Sequence, residues 1–595
     1  MMGRIKEKIA GRVRGIALAG LRFPMTVFCL LVATCIIFRM IAINEEPELL
    51  QKLLFTFVIG AVLSVVTEFV IERFANLSSK KVLVYGVAIL LTLGYSLILL
   101  PAPEISEEIF IRSFVAILGL ICVALWLPSY RSEVNFNCVA LVHFKAFFTA
   151  LLYAIVLSLG IAAIIGSIHI LLFDMNNDLY AYIMTVIWVI FAPVYYLSLL
   201  PRFNSEAEED KQRAAYASSY PKFLDILISY IAIPLVSAYT FILFAYFIKI
   251  LVKFSWPSGQ VAPMVLVYAI VGLVVFVLAS LLQNKGALLY RKLFPKLLIV
   301  VVIMQHISVG IRLNSYGVTV SRYYVVLFGV YALIAAILLS FSPASKNGRI
   351  AILAALFALV SIFPFIDAFS VSRSSQIHRL EKLLKNEGML EDGKLISKEG
   401  ASENTKREVT SILNYLEGDG SLTYIHWLPE EFSVYYDMAS YFGFDPTYKY
   451  DYGDERKYYY ASVERGEPLV ISDYDMILEF DNQSYQRETI KQDFVVSQEA
   501  YQLVSKRTSD KDVSISILDA SGKELVTADL YPFLEKLLEE GKMKGENLPL
   551  ETLSYEVVSN QYKLKIIFQN INYTEISDAP SEAGYVIYVL FGKAD

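Results

Sequence analysis

Hydrophobic positions along this chain come in long unbroken runs, not in the short alternating patterns of a soluble domain. Between Phe23 and Ser370, segment after segment holds about 20 nearly uncharged residues, the length that crosses a hydrocarbon core of roughly 30 Å. The predicted spans are 23–43, 52–72, 82–100, 109–128, 145–172, 180–200, 223–249, 261–283, 296–311, 323–341 and 350–370, eleven in all. The fifth and seventh are long enough to tilt or to project from the bilayer. The ninth has an apolar core from Leu297 to Met304 and turns polar at Gln305 and His306, so it either crosses or forms a re-entrant segment.

After Val371 the pattern changes. Residues 374–387 have helical spacing, with Ile377, Leu380, Leu383 and Leu384 on one face, and 404–416 predict a second helix. Strand-like runs follow at Pro468–Ile471, Asp475–Phe480, Val513–Leu518, Tyr562–Phe568 and Tyr585–Phe591. A helix around Tyr531–Glu540 interrupts them, and Ser521-Gly522 suits a hairpin turn. The expected architecture is therefore a polytopic α-helical membrane bundle (23–370), preceded by a basic segment (1–22) and followed by a soluble α+β domain (371–595).

Composition agrees: 56% of the residues are hydrophobic, and mean hydropathy is +0.51. Charge divides where the hydrophobic runs stop. Residues 1–370 carry ten more basic than acidic side chains, and residues 371–595 carry sixteen more acidic than basic ones. An acidic soluble part argues against a nucleic-acid partner, which needs a basic patch there. Cys29, Cys35, Cys122 and Cys138 all lie in the membrane half without metal-ligand spacing, and no metal or cofactor is expected. The basic residues Arg4, Lys6, Lys8, Arg12, Arg14 and Arg22 precede an apolar run too long for a signal-peptide core, so a retained first span is expected.

Basic residues also orient the bundle. Alternate flanks of the eleven spans hold 21 Lys and Arg against seven on the other side. The positive-inside rule then places the N-terminus in the cytoplasm and the C-terminal domain outside it. If the ninth segment does not cross, the domain becomes cytoplasmic, with Lys346 and Arg349 on the disfavoured side.

Several local patterns occur together: Arg22-Phe23-Pro24-Met25-Thr26, then Tyr220-Pro221-Lys222-Phe223-Leu224 running into Tyr230-Ile231-Ala232-Ile233-Pro234-Leu235. Trp256-Pro257-Ser258-Gly259, Arg312-Leu313-Asn314-Ser315-Tyr316-Gly317 and Arg322-Tyr323-Tyr324 follow, and Ser374-Ser375-Gln376 opens the tail. This combination resembles the DUF4153 family, bacterial multi-pass membrane proteins of unknown function, over most of the membrane half. The resemblance implies a bacterial cytoplasmic (inner) membrane location. It brings no reaction or catalytic residue.

Two groups of residues stand out as candidate sites. Arg312, Tyr316, Gly317, Arg322 and Tyr323 place two guanidinium groups about a Tyr-Gly turn, against the positive-inside trend. They suit an anion, a lipid headgroup or a partner, because guanidinium binds phosphate and carboxylate bidentately. The alternative is that they snorkel to lipid phosphates or pair with acidic residues of the tail. Within the membrane, Glu68 is a candidate proton or cation partner. Span seven offers Pro234, which frees a backbone carbonyl, with Tyr239, Tyr246 and Lys249 further along. Asp367, close to the end of the last span, is expected to face water.

The chain has no G-x-x-x-x-G-K-[ST], H-E-x-x-H, G-x-S-x-G or paired C-x-x-C motif, and Asp451 and Asp454 do not complete a calcium loop. The tail is rich in tyrosine at Tyr448, Tyr450, Tyr452 and Tyr458–Tyr460, a residue suited to recognition surfaces. These features favour a non-enzymatic cell-envelope protein that senses, binds or scaffolds. Its partners are the lipid bilayer and an envelope protein or glycan met through the C-terminal domain. A transporter or lipid-handling protein and a membrane-embedded transferase are the alternatives.

Overall fold

A backbone surrounded by hydrocarbon has to satisfy its own N–H and C=O groups, so the long apolar runs fold as helices. The computed structural model describes residues 15–173, 176–253, 261–429, 431–447, 456–464, 468–482, 489–543, 546–559, 561–576 and 581–594. The basic residues from Arg4 to Arg14, the Trp256–Gly259 motif, Tyr448, Tyr450, Tyr452, Asp451 and Asp454 lie outside the described residues.

Eleven helices among the described residues are long and apolar enough to cross a membrane. The first six are α1 (Pro24–Ile43), α2 (Glu48–Arg73), α3 (Lys81–Leu99), α4 (Glu107–Trp126), α5 (Phe136–Leu171) and α6 (Asp178–Leu199). The others are α7 (Ile233–Lys253), α8 (Val261–Ala279), α9 (Lys285–Tyr316), α10 (Val320–Phe341) and α11 (Gly348–Ile362). Exposed apolar side chains such as Leu83, Leu90, Leu97 and Ile98 on α3 leave a surface that hydrocarbon, not water, covers. The chain is a multi-pass membrane protein.

Residues 296–311 are the middle of α9, one helix of 32 residues and about 48 Å that continues through Pro295. A re-entrant segment requires a chain reversal, and this helix has none. Leu298, Val301 and Val302 are fully buried, so it packs inside the bundle. The fifth span starts earlier than its apolar run, at Phe136, because Asn135 caps the helix there by accepting from Asn137 N at 2.9 Å. The last span stops at Ile362, short of residue 370: Pro364 disfavours helix in the residue before it, and Phe365 follows at φ +71°.

Two apolar clusters fill the bundle. One gathers Phe23, Val66, Phe69, Ala124 and Leu197 from α1, α2, α4 and α6. The other gathers Leu243, Phe276, Leu298, Ala335 and Ile350 from α7 to α11. Helix α5 serves both, with Val139 and Val142 in the first and Phe136 and Leu141 in the second.

Beyond the last span, α12 (Ala368–Asn386), α13 (Glu403–Gly418) and α14 (Val434–Phe442) close a separate small core around Leu380, Leu384, Val409, Leu413, Met438 and Phe442. These helices belong to the same compact unit as the bundle, which extends to Thr447, and residues 448–595 form a second unit.

The second unit is mostly β. In chain order it contains β1 (Arg456–Val463), β2 (Met476–Asn482), β3 (Ile490–Val496), β4 (Glu499–Arg507), β5 (Val513–Asp519) and β6 (Glu524–Asp529). Helix α15 (Tyr531–Glu539) precedes β7 (Glu546–Leu548), β8 (Ser554–Ser559), β9 (Tyr562–Ile576) and β10 (Glu582–Lys593). One sheet has the order β2-β10-β9-β1-β7, with β8 also on β9, and the other is the meander β3-β4-β5-β6. The hairpin at Ser521-Gly522 joins β5 to β6, and Gly522 takes φ +81°. Pro468–Ile471 forms no strand: among the described residues the run pairs with no neighbouring strand, its proline lacks a backbone N–H for a ladder, and Val470 and Ile471 are exposed.

Candidate functional site

The bundle's last helices turn at residues 317–319, between α9 and α10. A helix ending here leaves carbonyls without partners, and the next one starts with free N–H groups. Gly317 ends α9 at φ +68°, a conformation that favours glycine. The remaining backbone groups are met from the extramembrane helices. Gln376 Nε2 donates to Val318 O at 2.7 Å and to Tyr316 O at 3.1 Å. Val318 N donates to Ser375 Oγ at 2.9 Å, and Val320 N donates to the Tyr415 hydroxyl of α13 at 3.0 Å. Ser372 Oγ lies 2.8 Å from that same hydroxyl. A Cβ on Gly317 would sit 3.1 Å from Gln376 Nε2 and 3.2 Å from Ser375 Oγ, so glycine also permits the close approach.

A second set of contacts ties α12 to α4. Asp367 is the N-cap of α12: its Oδ1 accepts from Phe369 N at 3.0 Å and Ser370 N at 3.1 Å. Arg112 on α4 reaches the same oxygen at 2.7 Å and Glu108 at 2.6 Å. Arg373 on α12 pairs with Glu108 at 3.2 Å and lies over the Tyr424 ring at 3.7 Å. Asp367 does not face water; it has no exposed surface, because the end of α4 packs against it. Burial pushes its carboxyl up, but bonds from the Ser370 hydroxyl and from Arg112 outweigh that and hold it below the usual carboxylate range.

The structure brings Arg312, Tyr316, Gly317, Arg322 and Tyr323 together at this joint. Arg322 Nη1 donates to Gly317 O at 3.0 Å and Tyr316 O at 3.2 Å, and its guanidinium lies 5.6 Å from the Tyr316 ring centre. The Tyr323 hydroxyl donates to Ile366 O at 2.7 Å. Arg379 on α12 lies 5.9 Å from the Tyr316 ring centre and pairs with Glu408. Among the described residues, no carboxylate pairs with Arg312 or Arg322. Both line a cavity of about 230 Å³ with Ser308, Thr319 and Ser321. Arg322 also borders a second, apolar cavity of about 200 Å³ with Leu313, Tyr323 and Val371.

The other candidates are dispersed. Glu68 is buried in α2 and accepts from the Tyr85 hydroxyl at 2.6 Å and Lys81 Nζ at 3.2 Å. Its neighbour Glu72 holds Arg22 bidentately at 2.7 and 2.8 Å. Span seven packs into the other core. There Pro234 and Lys249 are exposed, Tyr246 is half-buried, and Tyr239 stacks on Tyr268 at 6.1 Å. A widened π-turn, Leu227–Ala232, ends two residues ahead of Pro234, and Val186–Phe191 stands in the same relation to Pro193. The wider turn relieves the clash between the proline ring and the preceding turn. Glu68 and span seven therefore do not converge. Among the described residues, no three His, Cys, Asp or Glu side chains group as metal ligands.

Sequence reasoning missed Arg112, Glu108, Arg373 and Tyr415, whose roles arise from contacts between distant segments. The Ser374-Ser375-Gln376 run was the visible signal: small polar residues on a helix that starts just past a span.

The model of a family described as a domain of unknown function (DUF4153) matches residues 26–394. That region extends past the last span and includes both the turn and α12. An uncharacterized protein of Pasteurella multocida (strain Pm70) is 26% identical over 208 residues, covering 35% of this chain and 34% of that protein. The chain thus spans about a third of that relative's length. No solved structure matches the chain.

Proposed function

Because this chain belongs to the DUF4153 family, and the region matched runs from the first span past α12, we propose that it is a binding and sensing protein of the bacterial cell envelope. Its membrane bundle and first extramembrane helices act as one mechanical piece. The observation that carries this reading is the turn between α9 and α10, whose backbone groups are bound by Gln376, Ser375 and Tyr415. A displacement of α12 or α13 has to move the ends of α9 and α10, because breaking those bonds leaves part-buried backbone groups unsatisfied at about 1–3 kcal/mol each. A ligand or partner taken up by the extramembrane part is in this way felt inside the bundle.

In this reading the protein lies in the cytoplasmic (inner) membrane, with its N-terminus in the cytoplasm and the extramembrane helices and β unit outside. Support comes from the 21 to seven distribution of basic residues over an odd number of spans. A transporter is less well supported, since Glu68 is already neutralised by Lys81 and hydrogen-bonded to Tyr85. A transferase acting at Arg312 requires a carboxylate or histidine beside it, and the residues lining its cavity include neither.

Reporter fusions after Val371 test the placement. Active alkaline phosphatase with a dark green fluorescent protein is the expected pair of results. The reverse pair overturns the outward reading and with it the proposed envelope ligand.

A further inference from the structure

At the joint, positive charge exceeds what the described residues neutralise. Arg312, Arg322 and Arg379 gather around the α9–α10 turn, and Glu408 is the one carboxylate among the described residues that pairs with any of them, at Arg379. Burial and the neighbouring Arg322 charge push the Arg379 guanidinium below its ordinary range, as expected where like charges crowd. Among the described residues, Arg322 donates from Nη1 to carbonyl oxygens of the turn, which hold it without cancelling its charge.

The cavity beside these residues is built for an anion in three further ways. Ser308, Thr319 and Ser321 supply hydroxyl donors along its wall. The first turn of α10 starts there, and Thr319, its N-cap, makes no side-chain capping bond. Val320 N is taken by Tyr415, but the start of α10, with the positive end of its helix dipole, borders the same space. At about 230 Å³ the cavity is smaller than the roughly 300–1,000 Å³ of pockets that take drug-sized molecules, which suits a headgroup-sized ligand. Val309, Val325, Ala262 and Pro263 form the rest of the wall, so the lining combines cationic and polar groups with apolar ones.

We propose that the cavity between Arg312 and Arg322 binds a phosphate group, carried either by an anionic phospholipid headgroup or by free phosphate. This deepens the reading of the joint as the place where binding is sensed. It rests on that reading only for its consequence, because phosphate uptake and the clamp on the turn are measured separately.

The test uses the full chain in mild detergent. Native mass spectrometry counts the phosphatidylglycerol retained, with phosphatidylcholine as the zwitterionic control, and thermal unfolding is followed with inorganic phosphate. Two variants address the site without cutting the clamp. Arg312→Gln removes one guanidinium, and Ser321→Asp puts a negative charge at an exposed position in the first turn of α10, where a carboxylate favours the helix. The expected result is phosphatidylglycerol retention reduced about tenfold in each variant, as for loss of a charge-assisted contact. A lipid source is indicated when inorganic phosphate has no effect. A free-phosphate source is indicated when phosphate raises the unfolding temperature of the wild type and of neither variant. Wild type and both variants behaving alike toward both ligands overturns the proposal. Loss of binding in Arg312→Gln with unchanged amide protection at Val318 and Val320 separates this site from the clamp.

Discussion

At Asp367, two backbone N–H groups of α12 and the Arg112 guanidinium share one carboxylate oxygen. Its lowered pKa fixes the sign of its pH dependence. The carboxylate contributes stability at all pH above its unfolded value, and that contribution is lost as pH falls through the lower folded value. Asp367→Asn is expected to lose about 1.5–3 kcal/mol at neutral pH, because Arg112 keeps Glu108 but loses its charge-assisted contact to the carboxylate. The gap to wild type should then narrow as pH drops below the usual carboxylate range, in unfolding curves recorded across pH. Two glycines give a matched comparison. Gly522 and Gly317 both have positive φ, but a Cβ on Gly522 meets nothing within 4 Å, whereas on Gly317 it meets Gln376 and Ser375. Gly522→Ala should cost about 1 kcal/mol from backbone strain alone, and Gly317→Ala more, up to about 3 kcal/mol. Single residues were the least legible scale. The pairing of Arg312 and Arg322 about a turn could be read from spacing, but the burial of Asp367 could not, because it depends on how α4 meets α12.

Among elements, the spans were legible because hydrocarbon thickness sets a run length that no soluble helix needs. Their ends were not, since caps and prolines set them: Asn135 starts α5 and Pro364 stops α11. In the β unit, β5, β9 and β10 could be read from their apolar runs, whereas β3 and β4 have neither an unbroken apolar run nor a regular alternation of apolar and polar residues. Helix α9 illustrates a limit of hydropathy. Its polar Gln305 and His306 weaken the signal, yet Gln305 is buried, and the His306 ring packs against Gly329 of α10. A Cβ on Gly329 would lie 2.5 Å from His306 Cε1. Gly329→Leu should therefore destabilise the bundle by about 1–3 kcal/mol through overpacking. Combining it with His306→Ala should recover part of the loss, giving a non-additive double-mutant cycle. Additivity would mean that the two helices do not meet there.

For the whole molecule, hydropathy and charge asymmetry together predicted a bundle with an α+β tail, and the eleven helices and the two sheets agree with that architecture. What they could not convey is that the first extramembrane helices are part of the bundle's own compact unit. That arrangement rests on side chains reaching backbone groups across long sequence separations, which leave no periodic trace. The account therefore stands on the clamp at the α9–α10 turn. Hydrogen exchange on the full chain, comparing wild type with the Ser375→Ala, Tyr415→Phe double variant that removes the acceptors of Val318 N and Val320 N, tests it most directly. The account predicts slow exchange at Val318 and Val320 in the wild type, at least about tenfold faster exchange there in the variant, corresponding to about 1.4 kcal/mol of lost protection, and loosening that spreads into the first turn of α10. Equal protection of the turn in both proteins would contradict it.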